Sequence, residues 1–198
     1  MTGDFAVLAR MWHVPVRYDI MASVADLIVV SGPPGAGKST VARLLSGLFD
    51  PSALVSGDQF FAFIDQGFVA PWTAAAHRQN EVVVGAAAAT AGRLATGGYT
   101  VVYDGVIGPW FLETFGSATG LASLHYAILL PPEQLCLERV RCRADHGFKD
   151  LEAARHMYRE IADAEVASRH VLDSTGDATA LASRLFQRMQ DGLLRRSI

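Results

Sequence analysis

The sequence predicts an α/β protein with a parallel sheet covered by helices on both faces. Three observations support that reading. Strand-like and helix-like segments alternate along the chain. The strand-like segments are nearly continuous apolar runs, as strands buried on both faces require. Glycine, proline or aspartate punctuates the joints between them.

The first strand is Leu27-Ile28-Val29-Val30. After a glycine-rich loop, Val41, Leu44, Leu45 and Leu48 recur at helical spacing. Pro51 interrupts the chain, and Ala53-Leu54-Val55-Ser56 forms the second strand, followed by a short helix over 59–64. Residues 66–73 make an irregular aromatic loop. A long alanine-rich helix over 74–95 ends at Gly97-Gly98. The third strand is Tyr99-Thr100-Val101-Val102-Tyr103, closed by Asp104-Gly105, and a helix spans 110–119. The fourth strand, over 124–130, stops at Pro131-Pro132 and leads into a helix over 133–144. A polar break over 145–150 precedes a helix over 151–168, a short strand at His170-Val171-Leu172 and a terminal helix over 178–190. The result is a five-stranded sheet in one domain over residues 25–198. Residues 1–24, which have no clear period, stand apart as an N-terminal extension.

Composition removes several function classes. The net charge is −3 and no block of like charges occurs, which favours neither a nucleic acid nor an anionic membrane as partner. Hydrophobic residues make up 51%, yet no apolar run approaches the ~18 residues that a membrane span needs. Cys136 and Cys142 lie six apart on one predicted helix, on different faces, which argues against a disulfide or a metal pair. These features point to a cytoplasmic protein.

Gly32-Pro33-Pro34-Gly35-Ala36-Gly37-Lys38-Ser39-Thr40 matches the phosphate-binding loop pattern without a departure, and it has the strand before and helix after that the pattern needs. Glycines let the loop turn its backbone N–H groups toward a polyphosphate. The helix N-terminus adds the positive end of its dipole. In that arrangement Lys38 reaches the β- and γ-phosphates and the Ser39 hydroxyl ligates Mg²⁺.

Ligands of an open parallel sheet sit beyond the carboxyl ends of its strands. There Asp58 suits two roles: orienting a substrate hydroxyl, or capping the helix that follows. Asp104 ends an apolar strand, as carboxylates that hold Mg²⁺ do, but Asp-Gly is also a common turn pair. Arg139 and Arg143, at i and i+4, either reach the nucleotide or form a solvated basic face. Phe61, Trp72 and Arg78, with His77, Gln79 and Asn80 nearby, are candidates for an acceptor pocket or for ordinary packing. The segment over 144–151 is a candidate lid.

These residues give the chain a resemblance to small-molecule kinases of the P-loop superfamily, the compact group that includes chloramphenicol phosphotransferase, gluconate kinase and the kinase domain of polynucleotide kinase. It spans about residues 25–190 and rests on Gly32 to Thr40, Ser56-Gly57-Asp58 and Arg139-x-x-x-Arg143. The resemblance implies a three-layer P-loop NTPase fold with strand order 2-3-1-4-5. It implies that Asp58 is the acceptor-orienting base, that Arg139 and Arg143 contact the nucleotide, and that residues 173–177 border an adenine. The implied function is an ATP- and Mg²⁺-dependent phosphotransferase acting on a hydroxyl of a small molecule. The alternatives are a regulatory ATPase without an acceptor and a 5′-hydroxyl polynucleotide kinase. Phe60 and Phe61 stand where polynucleotide kinases carry a basic residue, which suits an uncharged or partly apolar acceptor better.

Overall fold

The computed structural model describes residues 24–142 and 148–198. The N-terminal extension over 1–24, but for its last residue, lies outside them, as do Arg143 and the first residues of the expected lid.

Five parallel strands take the order β2-β3-β1-β4-β5, as expected. They are β1 (Leu27–Ser31), β2 (Ser52–Ser56), β3 (Thr100–Asp104), β4 (Ser123–Leu129) and β5 (Val171–Leu172). The helices are α1 (Lys38–Ser46), α2 (Gly57–Phe61), α3 (His77–Thr96), α4 (Pro109–Thr119), α5 (Glu133–Arg141), α6 (Leu151–Ala162) and α7 (Ala178–Gln190).

Because successive strand residues face opposite ways, β1 feeds two cores. Leu27 and Val29 pack with Ala87, Ala91 and Phe115 on one face, where α3 and α4 lie. Ile28 and Val30 pack with Val41, Leu45 and Leu185 on the other, under α1 and α7. Burying each large aliphatic side chain contributes roughly 1.5–3 kcal/mol, so the apolar runs settle the layered architecture. The alanines of α3 bring it close to α4: a Cβ on Gly92 would stand 2.0 Å from the Thr119 carbonyl oxygen.

Two elements depart from the sequence reading. The helix expected over 151–168 begins as expected, with the Asp150 carboxylate accepting from Ala153 N at 3.0 Å, but ends at Ala162. Beyond it the chain turns in, so that Val166 packs on the core and His170 is fully buried before β5. The second departure is a sixth strand, β6 (Arg195–Ser197), antiparallel to β4 at Ser123–His125. Its three residues are exposed and polar, so no apolar pattern announces it. Between β5 and β6, Tyr126 N donates to Leu194 O at 2.9 Å, and Tyr126 O accepts from His170 Nδ1 at 2.9 Å.

Candidate active site

The glycine-rich loop leaves β1 at the carboxyl end of the sheet. Gly32, Gly35 and Gly37 have φ of 141°, 84° and 90°. A Cβ on Gly35 would also stand 2.2 Å from the Cys136 carbonyl oxygen, so both backbone angle and space demand glycine there. Helix α1 starts at Lys38 with no side-chain cap and no acidic residue in its first turn. Its N-terminal N–H groups therefore keep their positive field for an anion. Lys38 Nζ donates to Pro33 O at 3.1 Å, holding the ammonium over the loop. A polyphosphate fits this cradle.

The loop separates two cavities. The smaller, about 430 Å³, is bordered by Gly35, Gly37, Thr40, Arg139, Ser174 and Gly176. Arg139 donates from Nη1 to Gly35 O at 3.3 Å and from Nη2 to Ser174 O at 3.4 Å. Ser174 Oγ donates to Ala36 O at 2.8 Å. The loop after β5 is itself shaped by Asp173, whose carboxylate accepts from Thr175 N at 2.9 Å and Thr175 Oγ1 at 3.0 Å.

The larger cavity, about 650 Å³, has Lys38, Ser39, Asp58 and Asp104 at its polar end. Strand pairing explains their convergence: Asp104 is in register with Val30 of β1 and Ser56 of β2. Asp58 is not the helix cap, since Ser56 holds the N-cap position of α2 and Asp58 falls in the first turn. Asp104 belongs to the strand and not to the turn. Beneath them lies Tyr103, buried, with its hydroxyl 2.3 Å from where a Cβ of Gly57 would be. Burial pushes the Tyr103 phenol well above its ordinary pKa, and the Asp58 and Asp104 carboxylates push it further. It stays neutral. Ser39 and Asp104 both line this cavity, and each carries an oxygen of the kind that Mg²⁺ takes beside its water and phosphate ligands. Among the described residues, no group of three or more His, Cys, Asp or Glu side chains forms an all-protein metal cage.

The cavity wall is pinned by hydrogen bonds. Gln79 accepts from Val69 N at 2.8 Å and donates to Val69 O at 2.7 Å. Asn80 Nδ2 donates to Pro71 O at 2.7 Å, and its buried Oδ1 is without a partner among the described residues. On the opposite side the Ser31 hydroxyl donates to Ile107 O at 2.8 Å and accepts from Ile107 N at 3.0 Å.

Most of the residues singled out from sequence meet here. Phe61 and Trp72 stand in the wall of the larger cavity, as do Phe68, His77, Asn80, Trp110 and Phe111. Arg78 is exposed and lies outside the lining of either cavity, because His77 and Asn80 occupy the inward positions of that helical turn. Arg139 borders the smaller cavity, and Arg143 lies outside the described residues. Sequence reasoning missed Phe148, His156, Met157 and Glu160, which close the far side from α6 and the residues before it. The signal for three of these is the helical spacing of 156, 157 and 160, which only a known α6 orientation turns into a cavity wall.

A family model described as an AAA domain matches residues 27–165. No curated relative matches the sequence significantly. Similar solved structures include the tunicamycin resistance protein of Deinococcus radiodurans, 17% identical with a TM-score of 0.62, covering 88% of this chain and 99% of that one. A sugar kinase from Janibacter sp. HTCC2649 is 17% identical with a TM-score of 0.64, over 84% of this chain and 95% of its own. A gluconokinase from Sinorhizobium meliloti 1021 is 16% identical with a TM-score of 0.61, over 86% and 95%. Identities this low speak for the fold alone. Since the family model spans well over half of the sequence, the chain belongs to the AAA-domain family and has the fold of the P-loop kinases.

Proposed function

We propose that this chain is a phosphotransferase that uses ATP and Mg²⁺ to phosphorylate a hydroxyl group of a small molecule. One observation carries the reading: the phosphate-binding loop stands between two cavities, with Arg139 and Ser174 on one side and Asp58 on the other. A triphosphate laid along the loop has its base end in the smaller cavity and its γ-phosphate facing the larger one.

In this reading the backbone N–H groups of residues 35–39 bind the phosphates, and Lys38 turns from Pro33 O to the β- and γ-oxygens. Ser39 and Asp104 would hold Mg²⁺. When bound, the ion neutralises charge on the transferred group. Arg139 keeps the loop and the segment around Ser174 together, bordering the base. Asp58 orients the acceptor hydroxyl and takes its proton as that oxygen bonds to the γ-phosphorus and the bond to the β-phosphate oxygen breaks. No described helix is long and apolar enough to cross a membrane. A cytoplasmic setting suits cysteines that no disulfide joins, Cys136 being buried and Cys142 exposed.

The test is ATP consumption against a panel of sugars, nucleosides, aromatic alcohols and a 5′-hydroxyl oligonucleotide. Stimulation by one small hydroxyl compound, lost in Lys38→Ala and Asp58→Ala, is the expected result. Turnover indifferent to every acceptor and to Asp58→Ala would instead mark a regulatory ATPase.

A further inference from the structure

The larger cavity, taken as the acceptor site on the reading above, sorts its side chains by chemistry. Six phenylalanine and tryptophan residues stand in its wall: Phe61, Phe68, Trp72, Trp110, Phe111 and Phe148. Trp72 and Phe148 meet edge to face with centroids 4.9 Å apart. Phe111 stacks on His77 at 5.7 Å. Phe68 and Trp110 are 52% and 49% exposed. Large rings held toward water are unfavourable until something covers them.

The charges are one-sided. Among the described residues lining this cavity, Lys38 is the sole lysine or arginine, and its place in the loop commits it to the donor's phosphates. Asp58, Asp104 and Glu160 are the described carboxylates in the lining, with Glu160 facing His156 Nε2 at 3.5 Å. Arg78 does not reach the cavity. Among the described lining residues an acceptor carboxylate, sulfate or phosphate would find only the His77 and His156 imidazoles, and no further lysine or arginine, to replace its hydration, and would face like charge. A polyhydroxylated aliphatic acceptor would leave most of its hydroxyls against rings.

We infer that the acceptor is an uncharged alcohol carrying a planar aromatic ring, with the ring held among the tryptophan and phenylalanine side chains and the hydroxyl directed to Asp58. Stacking supplies affinity without demanding a particular hydrogen-bond pattern. Specificity against acidic metabolites then comes from the lack of a second lysine or arginine among the described lining residues and not from a clash.

Binding is measured by calorimetry on the nucleotide-free protein, so that the readout is independent of turnover. The probes are purine and pyrimidine nucleosides, 3-phenylpropane-1,2-diol, its acidic counterpart 3-phenyllactate, and gluconate. At least one neutral aromatic alcohol is expected to bind, with the phenyl diol at least about tenfold tighter than phenyllactate. Phe68→Ala and Trp110→Ala each weaken the neutral ligand by about fivefold or more. Their exposure leaves the fold intact, and Phe68→Arg should narrow the gap between diol and acid. Gluconate or phenyllactate binding as tightly as the neutral probes, indifference to both alanine variants, or no heat from any neutral aromatic alcohol would overturn the inference. Neutral aromatic binding without any phosphoryl transfer would overturn the proposed function and leave standing the ligand class inferred for this cavity. Transfer to an anionic aliphatic acceptor would do the reverse.

Discussion

The Ser174 hydroxyl donates to the Ala36 carbonyl oxygen at 2.8 Å across 138 residues of sequence. It joins the loop after β5 to the phosphate-binding loop, and Arg139 spans the same two segments. Ser174→Ala therefore unties the base side of the site while leaving the acceptor side alone. The cost to stability is about 1 kcal/mol. Nucleotide affinity should fall several-fold with the KM of the acceptor unchanged, as read by denaturation and by titration with each substrate.

Gly35 and Gly176 both border the smaller cavity, but they differ in what an added methyl group meets. Gly35→Ala places a Cβ against the Cys136 backbone at a left-handed φ, and should cost roughly 1–3 kcal/mol from backbone strain alone. Gly176→Ala meets nothing within 4 Å, so its stability should change by less than about 0.5 kcal/mol. Parallel urea melts decide it.

Gln79 holds Val69 through both its oxygen and its nitrogen. Removing the side chain in Gln79→Leu loosens the loop that presents Phe68 and Trp72. The acceptor KM should rise with the nucleotide affinity untouched. Steady-state kinetics with each substrate varied in turn separate the two constants, and an equal rise in both would contradict this assignment.

Asp104→Asn removes the charge of one of the two proposed Mg²⁺ ligands while keeping the strand. The Mg²⁺ concentration needed for half-maximal activity should rise by at least about tenfold. Binding of ATP measured without metal should stay as it was. A variant that loses metal-free binding as well would show that Asp104 shapes the loop instead.

Acid should weaken the fold through His170 and His125. Burial lowers the pKa of both imidazoles below the ordinary 6.5, with the Arg169, Arg196 and Arg188 guanidinium groups adding to the effect at His170. The His170 ring is a single neutral tautomer, donating from Nδ1 to Tyr126 O and accepting at Nε2 from Arg169 Nε at 3.1 Å. With folded pKa values below the unfolded ones, the unfolded chain binds more protons as pH falls through 6.5, so stability declines from there down to the folded pKa values. Above 6.5 the term vanishes. His170→Gln should flatten the fall in melting temperature between pH 7 and pH 5, whatever it does to the melting temperature at pH 7.

The sequence made the layers and the phosphate loop readable for a physical reason. Apolar runs such as Leu27 to Val30 must be covered on both faces, and the loop glycines answer to backbone angles that few other residues adopt. Asp58 and Asp104 were placed at strand ends but stood between two roles each, and only the cap position of Ser56 and the pairing of Asp104 with Ser56 exclude the helix cap and the turn. Arg78 could not be told from His77 and Asn80, since one residue along a helix turns a side chain by about 100° and the helix start was uncertain by that much. The α6 contribution was hidden because Phe148 and Glu160 reach the cavity through tertiary packing. β6 was hidden because its contribution is made by backbone groups, on which Arg195, Arg196 and Ser197 leave no mark.

That sixth strand has a bearing on handling the protein. β4 would otherwise offer its N-terminal half, with unpaired N–H and C=O groups over Ser123 to His125, to any extended peptide nearby. Residues 194–197 occupy those groups first, and β5 takes the rest. Deleting the segment from Leu194 onward takes the fully buried Leu194 out of the core, and it also uncovers a template for strand addition. The shortened protein should therefore self-associate at concentrations where the full chain does not, and a tag fused beyond Ile198 should be joined through a flexible spacer.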